Sequence, residues 1–335
     1  MLFCGVACAP AQGQSALGDQ FRALANTAIG KKFNSADNLD MVTRMRNGAM
    51  PPQPDDGGCR SPEAPRAINA FLQQRRRTAE LAEYSRLVYA REGLHVALKK
   101  SRLSPAQRQF QDVNYDPATA LAYLIVAQAG ADDKLNIALV FEGSTFKHGR
   151  ADALNKFIAA DVAQLLSKAT PKMFEGAEAV YLKVLAQYPP SRAIITLSGH
   201  SLGGALAAYV GAKYQVRTVT FNPARLSKAT IDDAARKRPD LLEPGMYGVR
   251  NIMNVSSATD TVHFMGIPGQ TSYLPGDSFV VHVGLDDPTG HGMDALSEAL
   301  TLLAQRPPTA AQMCEFYYGN DATWSALNSR LPAAH

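Results

Sequence analysis

The 335-residue chain reads as an α/β protein with a mostly parallel central sheet flanked by helices and a partly helical N-terminal extension. Three observations point there. Short β-branched runs alternate with helical patterns from Leu135 onward. A breaker-rich stretch sets the first part of the chain apart. One strand–turn–helix junction carries Gly199-His200-Ser201-Leu202-Gly203.

The elements follow in chain order. Residues 1–78 form the extension and residues 79–335 the main domain. Met1 to Ala11 is apolar and rich in small residues, and Ala9-Pro10-Ala11 has the small-x-small form of a signal cleavage site. No basic stretch precedes it, so export (periplasmic or secreted) and a cytoplasmic location both stay open. Prolines and glycines between Met50 and Gly58 mark a loop spanning about 50–62. From Pro65 to Tyr89, Ile68, Phe71, Leu72, Leu81, Tyr84, Leu87 and Val88 recur at helical steps. Leu135–Phe141, Ile194–Ser198, Val216–Phe221, Val249–Val255 and Ser278–Val283 read as strands. Asn155–Leu166, Phe174–Gln187 and Gly203–Tyr214 read as helices, and a last helix follows His291.

Composition narrows the function classes. A hydrophobic fraction of 46% and a charged fraction of 19% are those of a globular chain. Net charge is only +4, and apart from Arg75-Arg76-Arg77 the basic residues are scattered, so no nucleic-acid partner is expected. The triplet reads as a solvated helix face. No apolar run reaches the ~20 residues of a membrane span. Cys4, Cys8, Cys59 and Cys314 make no metal-binding pattern, and no metal site is expected. A Cys59–Cys314 disulfide and two unpaired thiols both stay open.

The chemistry sits at the strand–turn–helix junction. A serine nucleophile on such a turn leaves no room for side chains two residues before and after it, and Gly199 and Gly203 stand there. The elbow comprises Gly199, His200, Ser201, Gly203 and Gly204. The helix beginning after Ser201 aims its first amides at a developing oxyanion, which makes the Leu202 N–H one expected donor. A second is expected from the loop after an earlier strand, where Ser144 follows Phe141-Glu142-Gly143. A serine hydroxyl needs a histidine to take its proton and an acid to orient that histidine, in the order Ser, acid, His. Downstream lie His263, His282, His291 and His335, and among acids Asp260, Asp277, Asp286 and Asp287. Asp260 follows a strand end. His291 lies in a glycine-flanked loop entering a helix. These two suit the roles best, since His282 sits within a strand pattern, His263 lies too near Asp260 and His335 is terminal.

These residues resemble the class 3 (fungal-type) lipase family, and Leu81 to Tyr89 and Phe221-Asn222-Pro223-Ala224 are similar to its bacterial members. Val140 to Ser144 resembles the oxyanion segment, Gly199 to Gly204 the elbow, and Asn254 to Val262 the acid segment, with His291 where the last member falls. The resemblance covers residues 80 to 300. It implies the α/β-hydrolase fold and a triad of Ser201, Asp260 and His291. It implies Ser144 and Leu202 at the oxyanion hole, acylglycerol or phospholipid esters as substrate, and no cofactor; the expected partner is a lipid or ester substrate, with transient contact at a membrane surface left open. Glu142 departs from the family's Arg, and Thr145 to Ala153 lacks an apolar lid. A phospholipase acting on membranes, such as an exported antibacterial effector, is a second expectation, and a non-catalytic binding protein of the same fold a third.

Overall fold

The computed structural model describes residues 64–90, 94–103, 113–119, 121–130, 133–144, 170, 172–242, 251–257, 260, 272–281, 291–306 and 317–319. The loop expected at 50–62, the helix at 155–166, the segment 145–153, the four cysteines, His263, His282, His335, Asp286 and Asp287 lie outside these residues.

An eight-stranded sheet organises the chain. Its strands are β1 (Asn114–Asp116), β2 (Leu121–Ala129), β3 (Leu135–Phe141), β4 (Ala193–His200), β5 (Arg217–Phe221), β7 (Ile252–Ser257), β9 (Asp277–Val281) and β10 (Tyr317–Gly319), adjacent in that order. β6 (Leu226–Ser227) and β8 (Ser272–Tyr273) pair separately. The five strands from β3 to β9 are parallel, while β1, β2 and β10 add antiparallel edges. Among the described residues six α-helices accompany them: α1 (Ala64–Leu87), α2 (Leu94–Lys99), α3 (Lys172–Gln187), α4 (Leu202–Tyr214), α5 (Lys228–Ala235) and α6 (Met293–Gln305).

Alternation along the strands supplies two cores. On β3, Ile137, Leu139 and Phe141 face α3 and α4, while Ala138 and Val140 face the side covered by α1 and α6. Both faces are covered, which is why the parallel strands read as near-continuous apolar runs. α4 is buried from Leu202 to Lys213. Its small residues, Gly203, Gly204, Ala205, Ala207, Ala208, Gly211 and Ala212, let it lie close on the sheet. Lys213, at the far end, is accommodated by ion pairs of 2.7 Å with both Glu178 and Asp233.

α1 lies against the opposite face. Ile68, Phe71, Leu81, Tyr84 and Leu87 are fully buried, and the Phe71 ring stacks on Phe279 of β9 at 5.0 Å. Each such side chain contributes roughly 1.5–3 kcal/mol through burial. The helix passes position 78 without a break, so residues 64–78 pack on the sheet with the rest of α1.

The register decides where chemistry can occur. Phe141 pairs with Gly199, His200 with Phe221, and Phe221 with Val255. The carboxyl ends of β3, β4, β5 and β7 therefore finish side by side, and the segments leaving them share one edge. Parallel strands, helices on both faces and a serine turn between a central strand and its helix make this the α/β-hydrolase fold. No helix among the described residues is long and apolar enough to cross a membrane.

Candidate active site

Ser201 stands between β4 and α4 with φ 57° and ψ −125°, a conformation costly for a residue with a side chain. Its surroundings hold it there. Its N–H donates to the Phe221 carbonyl at 3.1 Å, and its own carbonyl accepts from Ala205 N at 3.1 Å and Ala224 N at 3.0 Å. The flanking glycines are required by close packing. A Cβ on Gly199 would lie 2.3 Å from the Gly203 carbonyl oxygen, and one on Gly203 would lie 2.3 Å from that of Phe141. This contact seats the first turn of α4 directly against the end of β3.

Two distant segments reach Ser201. His291 Nε2 lies 2.9 Å from Ser201 Oγ, and His291 Nδ1 lies 2.8 Å from Asp260 Oδ1. A carboxylate oxygen only accepts, so Nδ1 carries the hydrogen and Nε2 is left able to accept from the serine hydroxyl. Asp260 is fully buried, and its N–H is tied to the Ser257 carbonyl at 3.0 Å, which fixes it just past β7. Of the other acids considered, Asp277 opens β9 opposite Met253.

His291 is held through its backbone as well. The His291 carbonyl accepts from Asn222 Nδ2 at 3.1 Å and from His200 Nε2 at 2.7 Å. Asn222 is fully buried with φ 43°, and its Oδ1 accepts from Ser257 N at 2.7 Å. One amide thus fastens the His291 segment to the strand leading to Asp260. Asn254 links β7 to its neighbours, accepting from Thr220 Oγ1 at 2.7 Å and donating to the Pro275 carbonyl at 2.9 Å.

α6, which begins two residues after His291, is anchored by Glu83 of α1. Glu83 accepts from Ser297 Oγ at 2.7 Å, from Arg86 Nη2 at 2.7 Å and from Arg102 N at 3.2 Å. Burial pushes its carboxyl up. The hydrogen bonds from Arg86 and Ser297, with the Arg86 charge, outweigh burial and hold it below the usual range.

Where the oxyanion donors were expected, the Ser201 hydroxyl makes no cap hydrogen bond to α4, and the first amides of a helix have no intrahelical acceptor. Leu202 supplies the first of them. Glu142 is fully buried, Gly143 follows, and Ser144 is half-exposed on the loop leaving β3. Tyr89, just after α1, reaches into this loop: its Oη accepts from Gly143 N at 3.1 Å. Tyr89 and Asn222 stand in segments singled out by resemblance, yet no sequence pattern assigned them a role. Both act through tertiary contacts. Among the described residues no group of three or more His, Cys, Asp or Glu side chains could hold a metal ion.

Residues 141–251 match an uncharacterised protein family, UPF0227. A 98-residue stretch is 34% identical to "Putative lipase ATG15" of Lodderomyces elongisporus, covering 29% of this chain and 16% of that protein. The same named protein of Scheffersomyces stipitis is 33% identical over 98 residues, covering 29% of this chain and 14% of its own length. The match thus spans about a sixth of these relatives. Among solved structures, a Penicillium cyclopium MDLA variant aligns over 69% of this chain and 93% of its own, with 15% identity and a TM-score of 0.35. A Pyrobaculum calidifontis esterase aligns over 71% and 91%, with 11% identity and a TM-score of 0.34.

Proposed function

We propose that this protein is a serine hydrolase that cleaves carboxylic esters of lipids through an acyl-enzyme. The observation that carries the reading is the unbroken run from Ser201 Oγ through the His291 ring to Asp260, at 2.9 and 2.8 Å, on a strained turn at the sheet edge. The names of the partial relatives point the same way.

In the proposed reaction His291 Nε2 takes the proton from Ser201 Oγ as that oxygen bonds to the ester carbonyl carbon. The Leu202 and Ser144 amides receive the oxyanion, in a geometry that favours the transition state over the planar ester. The tetrahedral adduct collapses, the C–O bond to the alcohol breaks, and His291 returns the proton to the departing oxygen. Water then repeats the sequence on the acyl-enzyme, with His291 as base, releasing the acid and restoring the serine. Asp260 stays ionised throughout and stabilises the imidazolium.

The test compares wild type and Ser201→Ala on short-chain p-nitrophenyl esters, a triacylglycerol emulsion and phospholipid vesicles. Wild type is expected to release product and Ser201→Ala to lose at least about 10⁴-fold in kcat. The panel also separates a lipase from a phospholipase working at a membrane surface. Equal turnover by wild type and Ser201→Ala would remove Ser201 as the nucleophile, and no turnover by either would leave a binding protein of this fold as the better account.

A further inference from the structure

We infer that Tyr89 and His200 are positioning residues that couple the oxyanion loop to the base through one directed chain of hydrogen bonds. The inference rests on the hydrolase reading above. His200 occupies the elbow position before the nucleophile. The residue is nine-tenths buried, and its two ring nitrogens face Tyr89 Oη and the His291 carbonyl oxygen. It lies between the Tyr89 and His291 rings, with centroids 5.7 and 4.7 Å away.

The polarity of the chain follows from its end. The His291 carbonyl can only accept, so His200 Nε2, at 2.7 Å, carries the hydrogen. In the neutral ring Nδ1 is then an acceptor, and Tyr89 Oη, 2.8 Å away, donates to it. With its hydrogen so placed, Tyr89 Oη accepts the Gly143 N–H at 3.1 Å. The direction runs from Gly143 N–H to Tyr89, from Tyr89 to His200, and from His200 to the backbone of His291. Gly143 adjoins Ser144, the proposed second oxyanion donor, so donor loop and base are set by the same two side chains. The hydroxyl passes so near Gly143 that a Cβ there would lie 2.4 Å from it. Asn222 gives the His291 carbonyl a second donor. Losing the chain therefore loosens the base without releasing it.

The chemistry tolerates little looseness, since a displacement of about 1 Å costs on the order of 10²-fold in rate. Kinetics of p-nitrophenyl butyrate hydrolysis, with thermal melts, would be measured for wild type, Tyr89→Phe, His200→Leu, their double variant, His200→Gln and Ser201→Ala. Tyr89→Phe and His200→Leu are each expected to lower kcat by about 10- to 100-fold with KM within about threefold. Because both break one chain, the double variant should lose no more than about threefold beyond the weaker single. His200→Gln, which can still offer an N–H to the His291 carbonyl, should recover most of what leucine loses. If His200→Leu does not fold, Tyr89→Phe and His200→Gln decide, since Tyr89→Phe removes one oxygen and keeps the ring. A Tyr89→Phe kcat within twofold of wild type, losses that multiply, or losses confined to KM would overturn the inference while leaving the hydrolase reading intact. Wild-type turnover in Ser201→Ala would overturn both.

Discussion

Replacing Asp260 by asparagine probes the site at a fully buried carboxylate. The substitution keeps size and removes one charge. Asp260 is fully buried, and its Oδ1 lies 2.8 Å from His291 Nδ1. In the proposed transition state the imidazole carries a full positive charge, whose centre sits about 4 Å from that of the carboxylate. At an effective dielectric of about 20, that pair is worth about 4 kcal/mol. The ground state holds a neutral imidazole, so most of this interaction is absent before the proton moves, and its loss falls on kcat. At about 1.4 kcal/mol per factor of ten, kcat should drop about 10³-fold. An asparagine can also turn its amide N–H toward Nδ1, which favours the wrong tautomer and deepens the loss. KM should change little. The assay is steady-state hydrolysis of a soluble p-nitrophenyl ester at a pH where the base is neutral, with a thermal melt to show that the variant folds. A folded Asp260→Asn protein whose kcat stays within tenfold of wild type would refute the reasoning.

Two further outcomes follow from the packing. Gly203→Ala should lower kcat by about 10²-fold, because the new methyl would meet the Phe141 carbonyl at 2.3 Å and push α4 off β3; it should also cost about 1–3 kcal/mol in a denaturant titration. Wild-type rate in that variant would mean the elbow tolerates a wider turn. Stability should fall as the medium is acidified. Glu80, Glu83 and Glu178 are each held below the ordinary carboxylate value of 4.5; in each, burial works against hydrogen bonds and cationic neighbours that win. The unfolded chain therefore takes up protons first, so the stabilisation is complete above about 4.5 and is lost as pH falls through the lower folded values. Denaturant midpoints measured from pH 7 to pH 3 should decline in that window, and Glu83→Gln should flatten the decline. An unchanged slope would remove Glu83 from the account.

How much of this was legible in the sequence depends on how local each cause is. β3 was expected at Leu135–Phe141 and is found there, because a buried parallel strand is an apolar run that needs no partner to be recognised. α1 was expected from Pro65 to Tyr89 and spans Ala64–Leu87 for a similar reason, its apolar positions repeating at helical steps. β2 escaped notice. Leu121–Ala129 is buried on both faces for much of its length and contains alanines and a glutamine that suit a helix equally well, so only pairing with β3 makes it a strand. The strand expected from Val249 begins at Ile252, where pairing with Thr218 starts. The elbow is a contiguous pattern whose steric demands are written in its glycines. The choice of candidate acid and base is not local, since four histidines and, in loops after strands, four candidate aspartates lie downstream; loop placement favours Asp260 and His291, and strand register brings them to Ser201. Tyr89 and Asn222 lay beyond such reasoning, because their partners approach only once the carboxyl ends of β3, β4, β5 and β7 align.

The central claim, that the Ser201 hydroxyl is activated by His291, is tested most directly by covalent trapping. The wild-type protein would be incubated with a fluorophosphonate, and the adduct located by peptide mass spectrometry. A single phosphonyl group on Ser201, formed at a rate that collapses in His291→Ala, is the result this account requires. An unlabelled protein, a label on another residue, or equal labelling rates in wild type and His291→Ala would contradict it.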